Sequence, residues 1–233
     1  MLDLIRQITW VDWLALFWFV LGWWVYAAFA RRRALTGRGS LLATTNRIRR
    51  LWMLQTTARE NRVIDGVVVQ NLSTSPSFFA STTILIIGGL LALLGATEEA
   101  TKFAKEIPFV SRTSAFVFDT KVFVLTAVFV YAFFRFTWSM RQYTFGALLI
   151  ASAPDHTVFA RGEASREEFA DRAGRVVGLA AETFNDGLRA YYMAFAVILW
   201  FFSPLAFAIG TAGIIYLLYQ REFRSEVLDV LRD

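Results

Sequence analysis

Hydroxyl and amide side chains are concentrated at the start of one apolar run, and they are the residues best suited to bind a ligand. The run is residues 76–96, PSFFASTTILIIGGLLALLGA, and it contains no charge. It is preceded by Asn71, Leu72, Ser73, Thr74 and Ser75. If Pro76 is the first residue of a helix, Ser75 is its N-cap and the next backbone amides have no partner inside the helix. Free amides, hydroxyls and the positive end of a helix dipole together favour an anion.

The predicted anion site combines side chains on both sides of Pro76 with backbone amides. Its residues are Asn71, Ser73, Ser75, Ser77, Phe78, Phe79 and Ser81. Residues 31–75 also contain nine arginines and only two acidic residues, which would raise the local concentration of anions. The alternative is an ordinary helix cap whose serines pack against a neighbouring helix. The residues themselves are compatible with both interpretations.

Catalytic and metal-binding sets are missing from the sequence. There is no cysteine, which excludes disulfides, thiolate metal sites and cysteine nucleophiles, and His156 is the single histidine. No phosphate-binding loop and no zinc-protease motif is present. We therefore predict that the protein is not an enzyme and has no catalytic residues, no metal and no cofactor.

Composition and apolar segments predict an all-α integral membrane protein. The 233 residues are 56% hydrophobic and 18% charged, with a mean hydropathy of +0.46. A helix that crosses a bilayer needs about 20 apolar residues, and four segments meet this length: 9–30, 76–96, 115–138 and 191–219. Ser203-Pro204 interrupts the fourth segment, which is too short to cross twice. We therefore predict one long or kinked helix there, and a single domain with four transmembrane helices and helical cytoplasmic extensions.

The distribution of charge predicts orientation and lipid contacts. The arginine-rich segment 31–75 fits the positive-inside rule and is expected to be cytoplasmic, whereas the neutral segment 97–114 and both termini are expected outside. The excess of 21 arginines over 3 lysines is typical of a GC-rich bacterial genome, so we expect a bacterial inner membrane. Arginines expected to contact anionic lipid headgroups are Arg31, Arg32, Arg33, Arg47, Arg49 and Arg50. No motif supports a nucleic acid as partner.

Two further helices are predicted on the cytoplasmic side, at about residues 40–72 and 139–190. Ser40 is a suitable N-cap for the first, which is basic and amphipathic. Ser165 and Glu168 form a capping box in the second, and an apolar stripe follows it without a breaker into the fourth span. The third span is expected to continue until just before Pro154.

Ionisable residues inside the apolar segments have two interpretations. Asp12, in the first span, is either a functional carboxylate or a hydrated or paired group near the interface. Lys121 and Arg135 lie near the ends of the third span, where their charges can reach the headgroups. Asp186 and Arg189 are three residues apart and can form a helical ion pair. We interpret these groups as anchors rather than as a proton relay, because the middle parts of the spans lack acids.

Small residues recur every four positions on two spans: Gly88, Ala92 and Ala96, and then Ala206 and Gly210. This spacing puts each set on one helix face and allows close approach of another helix. Two explanations are open, which are packing within the chain and a seam between copies of the chain.

Five short motifs stand out along the chain: Asn46-Arg47-Ile48-Arg49-Arg50-x-Trp52-Met53, Asn61-Arg62-Val63-x-Asp65, Ser77-Phe78-Phe79-Ala80-Ser81-Thr82, Tyr191-Tyr192 and Arg221-Glu222-Phe223. Together they resemble a domain of unknown function found in bacterial and plant membrane proteins of about this length. The resemblance covers nearly the whole chain and implies a multi-span architecture. Because that family has no assigned activity, the resemblance implies no functional residues.

These observations lead to the hypothesis that the protein has a non-enzymatic function. We expect an oligomeric membrane channel or transporter, with anions more suitable than cations because of the helix entry near Ser75. The alternative is a structural or partner-binding subunit of a larger membrane assembly, in which the polar helix entry is only a cap. The expected partners are the anionic lipid bilayer and either copies of the chain or other membrane subunits.

Overall fold

The computed structural model describes residues 8–35, 39–97 and 114–231, which contain eight helices and no strand. The helices are α1 (Trp10–Leu35), α2 (Leu41–Thr56), α3 (Val63–Gly95), α4 (Ala115–Ala151), α5 (His156–Ala160), α6 (Arg166–Leu199), α7 (Pro204–Phe223) and α8 (Glu226–Val230). The all-helical prediction is confirmed for these residues. Most of the predicted external segment 97–114 lies outside them.

Three of the helices, α1, α3 and α4, are long and apolar enough to cross a membrane, judged by length and composition. They contain the predicted spans 9–30, 76–96 and 115–138 to within one residue at either end. The prediction of four spans is not confirmed, because the last apolar segment has a different structure.

The segment 191–219 is not one helix, which corrects the prediction. Helix α6 ends at Leu199 and α7 begins at Pro204, with a turn between them. A methyl group added to Gly210 would clash with the Leu199 side chain and lie 3.7 Å from Cα of Ala196. Because Gly210 follows the turn and Ala196 precedes it, this proximity means that the chain reverses and the two helices pack antiparallel. Ser203 caps the new helix, since its Oγ accepts from the Ala206 amide at 3.0 Å.

The start of α3 is the second correction. The helix begins at Val63, whose amide donates to Asn61 Oδ1 at 2.9 Å. Pro76 therefore lies inside α3 and Ser75 is not an N-cap. A proline lacks the amide hydrogen and cannot donate to the carbonyl four residues earlier, yet α3 continues through Pro76. The predicted helix 40–72 is accordingly divided between α2 and the first part of α3.

The local capping predictions are confirmed. Ser40 Oγ accepts from the Ala43 amide at 3.1 Å at the start of α2. Ser165 Oγ accepts from the Glu168 amide at 3.2 Å at the start of α6. Helix α4 continues to Ala151 and ends before Pro154, as expected.

The chain divides into two compact units. The first unit is Met1–Arg32, Thr82–Ala132 and Leu188–Arg221, and the second is Arg33–Ser81, Phe133–Gly187 and Glu222–Asp233. In the first unit the Trp200 and Phe207 rings are stacked, with centroids 4.9 Å apart. In the second unit a buried apolar cluster includes Met53, Tyr143 and Phe169. That the whole chain is a single membrane domain stays a prediction.

Candidate functional site

The predicted anion-binding segment lies within α3, and its residues do not converge on one point. Asn71 and Ser75 are exposed on one side of the helix. Phe78 is exposed. The Phe79 ring instead packs against two other rings, with its centroid 5.3 Å from that of Phe136 and 5.8 Å from that of Phe184. Because amides inside an α-helix point to carbonyls four residues earlier, those of residues 77–79 are not free donors. The helix-entry argument for an anion is therefore wrong.

The three serines that follow each other at four-residue spacing share one face of α3. Ser73 and Ser77 are half-buried and Ser81 is exposed. At 3.6 residues per turn this face continues through one large residue, Ile84, and then through Gly88 and Ala92, and all three are exposed. A methyl group added to Gly88 would meet nothing within 4 Å. We call Ser73, Ser77, Ser81, Gly88 and Ala92 the small-residue face of α3.

The second predicted set of small residues is used inside the chain. Gly210 faces Leu199 and Ala196 where α7 packs against α6. A side chain at Gly210 would require the Leu199 side chain to shift, so this contact favours a glycine at position 210. Of the two explanations for small residues, packing within the chain applies to Gly210 and does not apply to Gly88.

The six arginines expected at lipid headgroups have different surroundings. Arg31, Arg32 and Arg33 are exposed near the end of α1, and Arg47 is exposed on α2. Their contact with lipid stays a prediction. The Arg33 guanidinium also lies 5.8 Å from the centroid of the Phe223 ring.

Arg49 and Arg50 both lie on α2. Arg49 Nη1 donates to Asn46 Oδ1 at 2.8 Å and to Thr45 Oγ1 at 3.0 Å, and burial lowers the pKa of Arg49 from its ordinary value. Arg50 forms an exposed ion pair with Asp171, and the hydrogen bond to Asp171 raises the pKa of Arg50.

A buried polar network in the second unit was missed by the sequence analysis. Asp65 is fully buried, and its Oδ1 accepts from the Trp52 indole at 2.7 Å and from the Thr56 hydroxyl at 3.1 Å. Arg59 forms an ion pair with the same oxygen. The signal that could have found it is the motif Asn61-Arg62-Val63-x-Asp65, which places an acid at the start of α3.

Arg62 belongs to the same motif, and its side chain binds carbonyls at the C-terminal end of α4. Its guanidinium donates to the Ala153 carbonyl at 2.9 Å and to the Pro154 carbonyl at 2.5 Å, just after α4 ends. It also donates to the Thr56 carbonyl at 3.2 Å. A cation at a helix C-terminus is favoured by the helix dipole and satisfies carbonyls that lack an intrahelical donor. The motif therefore has a structural role in the second unit.

The first unit contains a second buried polar network. Asp12 is 6% exposed and accepts from the Trp200 indole at 2.6 Å and from the Thr9 hydroxyl at 2.5 Å. Lys121 is 2% exposed, and its ammonium donates to the Trp200 carbonyl at 2.9 Å and lies 5.7 Å from the Trp200 ring. Asp12 thus accepts hydrogen bonds from two protein side chains. The prediction that Lys121 reaches the headgroups is wrong, because its ammonium caps the end of α6.

The remaining charged residues of the spans also have partners within the protein. Arg135 forms an ion pair with Asp186, which is 4% exposed, and its contact with the headgroups stays a prediction. The Arg189 guanidinium lies 5.9 Å from the Tyr26 ring. The opposite charges of Arg135 and Asp186 thus compensate each other, which burial of a charge requires. In the described ranges no cluster of three or more His, Asp or Glu is placed to hold a metal.

Two open grooves run along α1 in the first unit. The α1–α7 groove, of about 620 Å³, is entirely lined by uncharged residues that include Trp18, Tyr26 and Ile215. The α1–α4 groove, of about 650 Å³, is lined by apolar and aromatic residues and by one charged residue, Arg31. Neither groove has the convergent polar groups of an enzyme site.

These features define an all-helical protein with three candidate membrane-spanning helices, paired internal charges and apolar grooves. Its sequence matches a family of proteins of unknown function, DUF599, over residues 14–227. The chain belongs to this family, which confirms the resemblance seen in its motifs. No curated protein and no solved structure matches the chain.

Proposed function

We propose that the protein is a non-enzymatic subunit of a membrane assembly in which copies of this chain contact one another through the small-residue face of α3. The observation that carries the proposal is the empty space around Gly88, where an added methyl group would meet nothing within 4 Å. Glycine is a poor choice for a face that contacts only lipid, because lipid chains accept any apolar side chain. It is a good choice where two helix backbones approach closely.

The burial of the spans supports this assignment. In the most apolar part of α3 only 11% of the residues are buried inside the chain, compared with 50% in α4. Helix α3 therefore has the most surface left for lipid or for another subunit. Small residues and serines at four-residue spacing are typical of helix pairs in membranes, where serine hydroxyls also bond across the contact.

Cysteine crosslinking tests the proposal directly because the chain has no cysteine of its own. A Gly88→Cys variant in membranes carries one thiol per chain, so any disulfide that forms joins two copies. The matched control is Gly213→Cys on α7, since Gly213 is also exposed with nothing within 4 Å but lies outside the face. We expect oxidation to give a covalent dimer for Gly88→Cys and little or none for Gly213→Cys.

The second measurement is the mass in mild detergent. Gly88→Leu should lower the mass towards that of a monomer, and Gly213→Leu should leave it unchanged. Equal crosslinking at both positions, or a monomeric mass for the unaltered protein, would overturn the assembly.

Ion conduction is the second candidate, and the hydroxyls on the same face favour it. In an assembly built through α3, Ser73, Ser77 and Ser81 from several copies come together and can line a polar path. Ser77→Ala should then change anion flux into liposomes. Ser75→Ala is the control because Ser75 is exposed on another side of the same helix. Flux no higher than in empty liposomes would rule out conduction and leave the assembly role intact.

A further inference from the structure

The α1–α4 groove has the size and the apolar lining of a binding site for one hydrocarbon chain. Small side chains, among them Ala27, Ala28 and Ala127, leave the depression between the two helices. Aromatic rings border it, and the Trp23 ring meets Tyr131 edge-on with centroids 5.6 Å apart. Its volume of about 650 Å³ is within the range of about 300–1,000 Å³ typical of small-molecule sites.

The length of the groove fits one leaflet of a bilayer. Its lining on α1 extends from Leu16 to Arg31. At 1.5 Å per residue the α1 wall is about 22 Å long, which is more than half of a hydrocarbon core of about 30 Å, and the α4 wall, from Phe123 to Tyr131, is about 12 Å long. An acyl chain from one leaflet therefore has enough length of apolar wall to lie along α1.

Arg31 places a positive charge at one end of the α1–α4 groove. It is the one charged residue among the lining residues, and it stands at the end of the lining on α1. Arginine donates several hydrogen bonds in a planar fork that suits a phosphate or carboxylate group. The α1–α7 groove has nearly the same volume and no charged lining residue, so it offers the same apolar surface without the charge.

We propose that the α1–α4 groove binds one acyl chain of an anionic phospholipid, with the lipid phosphate on Arg31. This binding site lies within a single chain, so the proposal does not depend on assembly through α3. It also goes beyond attraction of the arginine-rich segment to a charged membrane, because it assigns a defined place and a one-to-one occupancy.

Native mass spectrometry of the purified full chain, titrated with phosphatidylglycerol and separately with phosphatidylcholine, tests this assignment. We expect one phosphatidylglycerol to be retained per chain, in preference to phosphatidylcholine. Arg31→Gln should lower the affinity for phosphatidylglycerol about tenfold, the usual effect of losing a hydrogen bond to a charged group. Arg32→Gln is the matched control, because it removes the same charge from the adjacent, exposed position outside the groove.

A second pair of variants tests the apolar part of the binding site. Ala127→Phe fills the α1–α4 groove and should abolish retention of the lipid, while Ala212→Phe fills the α1–α7 groove and should not. Equal losses for Arg31→Gln and Arg32→Gln would overturn the proposal in favour of diffuse charge attraction. Retention unchanged by Ala127→Phe would overturn it as well, as would equal retention of phosphatidylcholine or replacement of the phospholipid by a free fatty acid at equal concentration.

Discussion

Each unit of the molecule contains a buried aspartate that accepts a hydrogen bond from a tryptophan indole, but the partners come from different distances along the chain. In the second unit Asp65 and Trp52 are 13 residues apart. In the first unit Asp12 and Trp200 are 188 residues apart. In each unit a cation also binds carbonyls at the end of a helix, Arg62 in the second and Lys121 in the first.

The difference concerns what each network stabilises. Asp65 has an opposite charge on the same oxygen, from Arg59, and its partners are supplied by α2 and the turn that follows it. That network stabilises the turn between α2 and α3. Asp12 is held by two neutral donors, and Trp200 connects it to Lys121 on α4. The network of the first unit therefore joins α1 and α4 to the end of α6.

Removing the Asp65 network, which contains an ion pair, should have the largest effect. Asp65→Ala leaves the Trp52 indole, the Thr56 hydroxyl and Arg59 without their acceptor in a buried site, and should lower the free energy of unfolding by about 3 kcal/mol. Thermal unfolding followed by helical circular dichroism in detergent measures the change. Asp65→Asn keeps an oxygen acceptor but removes the charge, so it should lower the free energy of unfolding by less than Asp65→Ala does. A stability of Asp65→Ala equal to that of the unaltered protein would contradict the assigned network.

Removing the Asp12 network, in which the carboxylate accepts from two neutral donors, should have a smaller effect. Asp12→Ala leaves the Trp200 indole without an acceptor and should destabilise the protein by about 2 kcal/mol. A double-mutant cycle with Trp200→Phe should show coupling, because the two residues share one hydrogen bond. The cycle of Asp12→Ala with Asp65→Ala should be additive, since the two networks share no residue. Coupling in that second cycle would show that the networks are not independent.

The exposed pair on the surface of the second unit should have the smallest effect, present at neutral pH and lost in acid. The hydrogen bond from Arg50 lowers the pKa of Asp171 from its ordinary value of 3.8. Since the folded pKa is below the unfolded one, the stabilisation is complete above the ordinary value and is lost as the pH falls through the folded pKa. Asp171→Asn should therefore lower the unfolding temperature slightly at pH 7, and this difference should disappear as the pH falls below the ordinary pKa of 3.8 and through the folded pKa. A large loss at pH 7 would show that the pair is not the exposed contact described.

Local features of the fold could be predicted because they depend on residues a few positions apart. The caps at Ser40 and Ser165 are examples, since each hydroxyl binds an amide three residues later. The end of α4 before Pro154 is another, because proline disfavours a helical residue before it. The apolar spans in α1, α3 and α4 follow from composition alone.

The candidate site shows where local reasoning was misleading. Pro76 has the properties of a first helical residue, and Ser75 those of a cap, but both lie inside α3. The choice between the two depends on whether the preceding turn can be stabilised. The contacts of Asp65 with α2 and the capping of Val63 by Asn61 stabilise that turn and start the helix earlier.

The sequence by itself determined an all-helical chain with long apolar segments, positive charge near one of them and no residues for thiol chemistry. Only the tertiary structure decided that the chain reverses at Trp200, that Lys121 and Arg135 are paired internally, and that Gly88 is open while Gly210 is packed. Helix formation and capping depend on neighbours within about four residues, which can be read along the chain. Pairing of buried charges and close helix contacts depend on residues far apart in sequence, so they exist only once the helices have packed.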